Sequence, residues 1–340
     1  MVEIQGQYVT FTPPRDAAYL IGDFTDWDEE SLPITGPITI EFPLGAYIEY
    51  AYLDGNKQPL ADPTNPEKPK NPWYDYHRSI TFPQNCFQTP PRPHTFRGSL
   101  NEYTVNSRNF EDQRTYFVYE PPASPSATLY VHDGEGFYRK LRFHEVAEAL
   151  IEQGLIRPVR LVMIEPRDRM SDYWFNQRYE ALLLEEILPE VDRRYGATPE
   201  RGLWGASLGG LVSVWLTWKN PDIFTKVGSQ SGCFTAHPQG GDEYHDPEWF
   251  TEQFTATPRI PVSRVRFYMQ TGQIEWLLAP NRRFAAVLVD KGYRHYYEEL
   301  PSGHNWATWE QGLEPGLKYL FSEETKSSLY YIKPARHAAT

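Results

Sequence analysis

Ser207 stands in Gly205-Ala206-Ser207-Leu208-Gly209, a Gly-x-Ser-x-Gly run. A short strand turning sharply into a helix presents the serine of such a run at its apex. The glycines are small because a side chain there would strike the adjoining strand or helix. The context fits, since residues 201–204 are short and bounded and the apolar stretch 208–218 runs to the helix stop Lys219-Asn220-Pro221. The alternative for five residues alone is a glycine-rich turn. A serine hydroxyl is a weak nucleophile at neutral pH, so acyl chemistry requires a base beside it and an acid to orient that base.

The chain order serine, acid, histidine directs the search downstream. His237 and His245 come too early, His295 begins the last expected strand, and His337 lies in a polar tail. His304, in Pro301-Ser302-Gly303-His304-Asn305-Trp306, follows that strand on a loop at the carboxyl end of the sheet, where such sites are built. It is the expected base. Glu275, on the loop after the expected strand 265–270, is the expected acid. Its rivals are Asp290 near a helix end and the plain reading of Glu275 as a solvated carboxylate. A tetrahedral intermediate needs backbone donors for its oxyanion, expected at the amides of Leu208 and of Glu135 in the loop after strand 128–132. Asp133 is expected to hold that loop's turn.

These residues need a frame. Short β-rich runs at 8–12, 17–21, 38–42, 47–53 and 79–82, punctuated by Pro13-Pro14, Gly36-Pro37 and Asp54-Gly55, predict a small all-β sandwich over residues 1–82. Residues 83–97, with Pro90-Pro91-Arg92-Pro93, read as a stiff linker. From residue 98 to 321 strands alternate with helices: a hairpin at 100–105 and 114–119, strands at 128–132, 159–164, 227–229, 265–270 and 296–300, and helices at 143–151, 177–194 and 281–291. That alternation predicts a mainly parallel central sheet covered on both faces, an α/β fold. With a serine elbow in it, the expectation is an α/β-hydrolase. Residues 322–340 read as a polar tail.

The 340 residues, 40% hydrophobic and 15% aromatic, suffice for two cores. A formal net charge of −12 argues against a nucleic-acid partner. Cys86 and Cys233 have neither metal nor redox spacing, which fits a reducing compartment. The first residues lack a basic region followed by an apolar run, and no stretch approaches membrane-spanning length. The expectation is a cytoplasmic protein without cofactor or metal, acting on a small-molecule ester; the oligomeric state is left open.

A series of motifs then becomes specific. His132-Asp133-Gly134-Glu135-Gly136-Phe137, Arg169-x-x-Asp172-Tyr173-x-x-Asn176, Gly205-Ala206-Ser207-Leu208-Gly209-Gly210, Ser229-Gln230-Ser231-Gly232, Thr271-Gly272-Gln273-Ile274-Glu275 and Gly303-His304-Asn305-Trp306-x-x-Trp309 succeed one another. The series resembles the enterochelin (ferric enterobactin) esterase group of the α/β-hydrolase superfamily. Gly22-Asp23-Phe24-Thr25-Asp26-Trp27 resembles the signature of early-set immunoglobulin-like domains. The resemblance implies a Ser207–His304–Glu275 triad and a structural or substrate-contacting cluster of Arg169, Asp172 and Asn176. Two positions depart from the group's pattern: Asp172 replaces a usual glutamate, and Asn305 a common aspartate.

Two further groups of residues keep two readings each. Arg139, Lys140, Arg142, Arg167, Arg169, Arg282 and Arg283 follow expected strands at the Ser207 edge. They either recruit an anionic substrate such as a ferric siderophore, with Trp276 and Trp306 as aromatic walls, or pair with neighbouring acids. Trp27, Trp73, Tyr74 and Tyr76 either pack the β-domain and dock it on the next domain, the commoner use, or form a carbohydrate-stacking platform. The latter would suit an acetyl or feruloyl carbohydrate esterase, or a glycan-binding scaffold without activity.

Overall fold

In this computed structural model the described residues are 1–27, 30–71, 74–240, 248–256, 264–322 and 331–332. Among the described residues the amino-terminal domain has eight short strands: β1 (Val2–Gln5), β2 (Tyr8–Phe11), β3 (Tyr19–Gly22), β4 (Leu32–Pro33), β5 (Ile38–Glu41), β6 (Tyr47–Leu53), β7 (Pro59–Leu60) and β8 (Arg78–Thr81). They make two antiparallel sheets, β1-β2-β5 and β4-β3-β6-β7, with β8 paired to β6 further along the same side as β7. Val9, Phe11, Leu20, Ile48, Tyr50 and Tyr52 fill the core between them.

The catalytic-type domain continues with β9 (Ser99–Ser107), β10 (Asp112–Glu120), β11 (Ala127–His132), β12 (Val159–Ile164), β13 (Glu200–Ala206), β14 (Lys226–Gln230), β15 (Arg266–Gly272), β16 (Arg294–Leu300) and β17 (Tyr331–Ile332). Their order is β17-β16-β15-β14-β13-β11-β12-β10-β9. From β12 to β17 the pairing is parallel; β9 and β10 are antiparallel at one edge. The two-residue β17 lies in the segment expected to be only a polar tail.

The helices are α1 (Phe143–Glu152), α2 (Arg169–Tyr173), α3 (Gln177–Ala181), α4 (Leu188–Tyr195), α5 (Leu208–Lys219), α6 (Trp249–Ala256), α7 (Leu278–Asp290), α8 (Trp306–Gln311) and α9 (Leu313–Phe321). Each sheet face is covered by its own apolar cluster, one including Leu211, Trp215 and Phe284, the other Val146, Trp204 and Leu317. β11, β12 and β14 are buried at every residue, as strands covered on both faces must be. The single helix expected over 177–194 is divided: α3 passes into a π-helical segment, Leu182–Ile187, before α4. Pro189 lacks the N–H that would bond back one turn, so a wide turn ahead of it loses little.

The expected linker is a strap. Arg92 Nη1 donates to the carbonyls of Leu141 (3.1 Å) and Arg142 (3.0 Å), and Gln88 and Gln311 exchange two hydrogen bonds of 2.7 and 2.9 Å. Trp73, His245 and His337 lie outside the described residues.

Candidate active site

β13 ends and α5 begins at Ser207, whose backbone sits at φ 58°, ψ −121°. Hydrogen bonds enforce that conformation: Ser207 N donates to Gln230 O at 2.8 Å, while Ser207 O accepts from Leu211 N at 3.0 Å and Cys233 N at 3.1 Å. The elbow also needs its glycines, because a Cβ on Gly205 would lie 2.4 Å from the carbonyl carbon of Gly209. Leu208 opens α5, so its amide has no acceptor within the helix and remains a donor at the serine.

His304 and Glu275 arrive on the loops that follow β16 and β15. His304 Nδ1 and Glu275 Oε2 are 3.3 Å apart, and the Glu275 side chain is 0% exposed. Glu275 is held there by the hydroxyls of Ser231, 2.9 Å from Oε2, and Thr271, 2.5 Å from Oε1. Three hydrogen bonds to one buried carboxylate exceed what a solvated residue would show. Asp290, its rival, lies exposed at the far end of α7. Trp276 and Trp309 pack on the imidazole, with centroids at 4.6 and 5.1 Å. Trp309 Nε1 donates to Ser231 Oγ at 3.1 Å.

Ser207 and His304 line a common cavity of about 460 Å³ with Asp133, Arg169, Asn305, Trp306 and Trp309. Its other wall comes from the β-domain: Ile21, Trp27, Asn71, Tyr74, Tyr76 and His77. Trp27, Tyr74 and Tyr76 therefore serve neither of the two expected roles alone. Trp27 and Tyr76 pack on the β-domain cluster of Ile21, Ala51 and Leu53, and they line the same cavity as Ser207. His77 was missed by sequence reasoning, although a histidine ending the aromatic run Tyr74-Asp75-Tyr76 was its available signal.

The remaining expected residues separate. Arg169 makes a two-point ion pair with Asp133 (2.8 and 3.2 Å) and donates to Ala206 O at 2.9 Å, so it braces the turn and the residue before Ser207. Asp172 is turned inward to Arg114 Nη1 (2.5 Å) and Arg167 N (2.9 Å). Asn176 caps α3 by accepting from Arg178 N at 2.8 Å. Neither Asp172 nor Asn176 is among the cavity's lining residues. The expected second oxyanion donor is engaged elsewhere, because Glu135 N donates to Glu165 Oε2 at 2.6 Å. Glu135 and Glu165 line an adjoining cavity of about 570 Å³ that shares Asp133 and Arg169 with the first. Burial pushes the Glu165 carboxyl up to about 7.

The arginines of the expected cationic rim pair with acids: Arg139 with Glu135, Arg142 with Glu145, Arg167 with Asp112, Arg282 with Glu299 and Arg283 with Glu248. The pairing reading is the one the structure favours. Among the described residues no cluster of three His, Cys, Asp or Glu side chains is arranged for a metal ion, and no helix is long and apolar enough to cross a membrane.

Asn305 explains one departure from the family pattern. Its Oδ1 accepts from Thr308 N at 2.9 Å, capping α8, while its Nδ2 donates to Asp23 Oδ2 of the β-domain at 2.8 Å. An aspartate at 305 would put a second carboxyl group against the buried Asp23 in place of this donor.

Comparison with known proteins places this geometry. Residues 107–320 match the family described as Putative esterase. The uncharacterized protein YbbA of Bacillus subtilis is 28% identical over 162 residues, 41% of this chain and 62% of that protein. An iron(III) enterobactin esterase of Escherichia coli O6:H1 is 23% identical over 278 residues, 76% of this chain and 67% of that one. The chain thus spans roughly two thirds of the length of these curated relatives. The enterobactin esterase FES of Shigella flexneri, crystallised in the presence of enterobactin, superposes with a TM-score of 0.73 at 18% identity, over 94% of this chain and 95% of that one. The fold is therefore shared across both domains, and the chain, with its α/β-hydrolase fold, belongs to the Putative esterase family.

Proposed function

We propose that this protein is a serine esterase that hydrolyses a carboxylic ester through an acyl-enzyme, and that its substrate is a catecholate siderophore ester of the enterobactin type. The observation that carries the esterase reading is the buried Glu275 carboxylate on Nδ1 of His304, in one cavity with a serine held at φ 58°. Ser207 Oγ attacks the ester carbonyl carbon while His304 Nε2 takes its proton. Glu275 keeps the Nδ1–H tautomer and stabilises the imidazolium. The Leu208 amide donates to the oxyanion. The C–O bond breaks, His304 returns the proton to the leaving alkoxide, and water, deprotonated by His304, frees the acid and Ser207 by the reverse sequence. A Ser–His contact that tightens only with substrate bound is usual for such sites.

The choice of ester is supported by the shared two-domain fold with the Shigella enterobactin esterase and by the ring-lined cavity. The test is a fluorophosphonate label together with hydrolysis of ferric enterobactin, its linear fragments, and feruloyl and acetyl sugars. Labelling that survives Ser207→Ala overturns the mechanism; a preference for the sugar esters overturns the substrate.

A further inference from the structure

The wall facing Ser207 is built by residues that the esterase fold does not itself contain. On the β-domain side the Trp27 indole stacks on the His77 imidazole at 4.0 Å and 12°, and the Tyr74 ring stacks on the same imidazole at 5.0 Å and 26°. Tyr76 meets it edge-on at 4.7 Å. Across the cavity stand Trp306 and Trp309. Burial, with Arg78 nearby, pushes His77 down to about 3, so at neutral pH it is an uncharged ring. Arg169 is the one arginine among the described lining residues, and it is already paired at two points with Asp133. The cavity thus offers flat rings and little uncommitted charge.

The backbone that presents Trp27 is strained. Asp26 and Trp27 occupy consecutive positive φ values of 44° and 53°. The Thr25 hydroxyl, donating to Trp27 O at 3.1 Å and accepting from Gly22 N at 3.0 Å, holds the turn. Strain kept in place by such bonds is commonest where a side chain must be aimed. A core tryptophan would need no such turn, and a glycan platform would face open solvent rather than a nucleophile.

We infer that Trp27, Tyr74, Tyr76 and His77 form an aryl subsite of the catalytic cavity, which takes the ring of a benzoyl or cinnamoyl ester by stacking rather than by charge. The inference rests on the esterase reading and goes past it, since it assigns recognition to the β-domain. One ring chemistry has two sources, the dihydroxybenzoyl group of a siderophore and the feruloyl group of a plant cell-wall sugar.

Binding is measured first in Ser207→Ala, where hydrolysis plays no part. Dihydroxybenzoate or ferulate should bind this variant at least tenfold more tightly than a cyclohexane carboxylate of the same size, and adding Trp27→Ala should weaken the aryl acids about tenfold. Equal affinity for flat and saturated rings overturns the subsite without any change to its four residues. In otherwise wild-type protein, the ratio of kcat/KM for methyl ferulate over vinyl acetate should fall about tenfold in Trp27→Ala. Trp27→Phe, which keeps a ring, should restore most of it. A ratio unchanged in Trp27→Ala and Tyr74→Ala, or maltoheptaose binding that Trp27→Ala abolishes, overturns the inference. Hydrolysis that persists in Ser207→Ala overturns the esterase reading instead. A higher kcat/KM for a dihydroxybenzoyl-serine ester than for a feruloyl sugar assigns the subsite to siderophores, and the reverse order assigns it to the cell-wall ester; either outcome supports an aryl subsite.

Discussion

Asp23 of the β-domain accepts a hydrogen bond from Asn305, the residue after the catalytic-type histidine, at 2.8 Å. The same carboxylate oxygen accepts from Glu49 N at 2.8 Å, and the whole Asp23 side chain is buried. A parallel bridge between Tyr47 and Ser302, with Tyr47 N donating to Pro301 O at 3.0 Å, extends the contact along the histidine loop. His304 is thus placed partly by the other domain.

Replacing Asp23 by Ala should take this acceptor from Glu49 N and leave Asn305 Nδ2 with only Ser302 Oγ, 3.3 Å away, lowering stability by about 1–3 kcal/mol. A looser loop should also reduce kcat about tenfold. Thermal melts and steady-state rates check both. Asp23→Asn, which keeps an acceptor of the same shape, should retain most of the activity.

Asp23 also makes the fold sensitive to pH. Burial raises its carboxyl from 3.8 to about 7 and raises Glu49 with it. Between those two values the folded state holds a proton that the unfolded chain releases, so this group's contribution to stability falls as pH rises from about 4 to 7. Melting temperatures across that window should decline less steeply in Asp23→Asn than in the wild type.

Glu275→Gln keeps the shape but cannot hold the required tautomer, and kcat should drop by about 10³–10⁴. Asp290→Asn should stay within a factor of two. A large loss in the second variant with none in the first would exchange the two residues' roles.

Gly303 lies against Asp23, and a Cβ there would sit 2.2 Å from the Asp23 Cβ. Gly303→Ala should push the histidine loop off its seat and lower kcat by about 10², with a smaller change in KM. A crystal structure of the variant would show the displaced loop.

Glu165 holds the Glu135 amide, the second oxyanion donor expected from the sequence. The ionised carboxylate grips that amide hardest, and burial puts its ionisation near pH 7. Glu165→Gln should therefore raise kcat at pH 8 relative to wild type while leaving kcat at pH 6 little changed.

Much of this was legible in the sequence. Ser207 and its helix follow from glycine spacing, and the strands of the central sheet follow from unbroken apolar runs such as 159–164. Glu275 and His304 follow from chain order once the strands are placed. What could not be read were the contacts made between distant segments. Asp172 and Asn176 look like site residues in a motif, yet their orientation is set by Arg114 and by a helix cap. The arginines after the strands look like a cationic rim until their acid partners are located, some within one helical turn, as for Arg139 and Arg142, and some tens of residues away, as for Arg167 and Arg283. His77 and Asp23 belong to the β-domain, and their bearing on Ser207 and His304 depends on docking that no local pattern encodes.

The strap of residues 83–97 has a consequence for how large ligands enter. Fixed at Leu141, Arg142 and Gln311, it denies the two domains the freedom of a hinged jaw. With the Asp23–Asn305 bond on the β-domain side, the width of the slot between them is set by fixed contacts, so under the proposed function an ester larger than the slot would enter it one ring at a time.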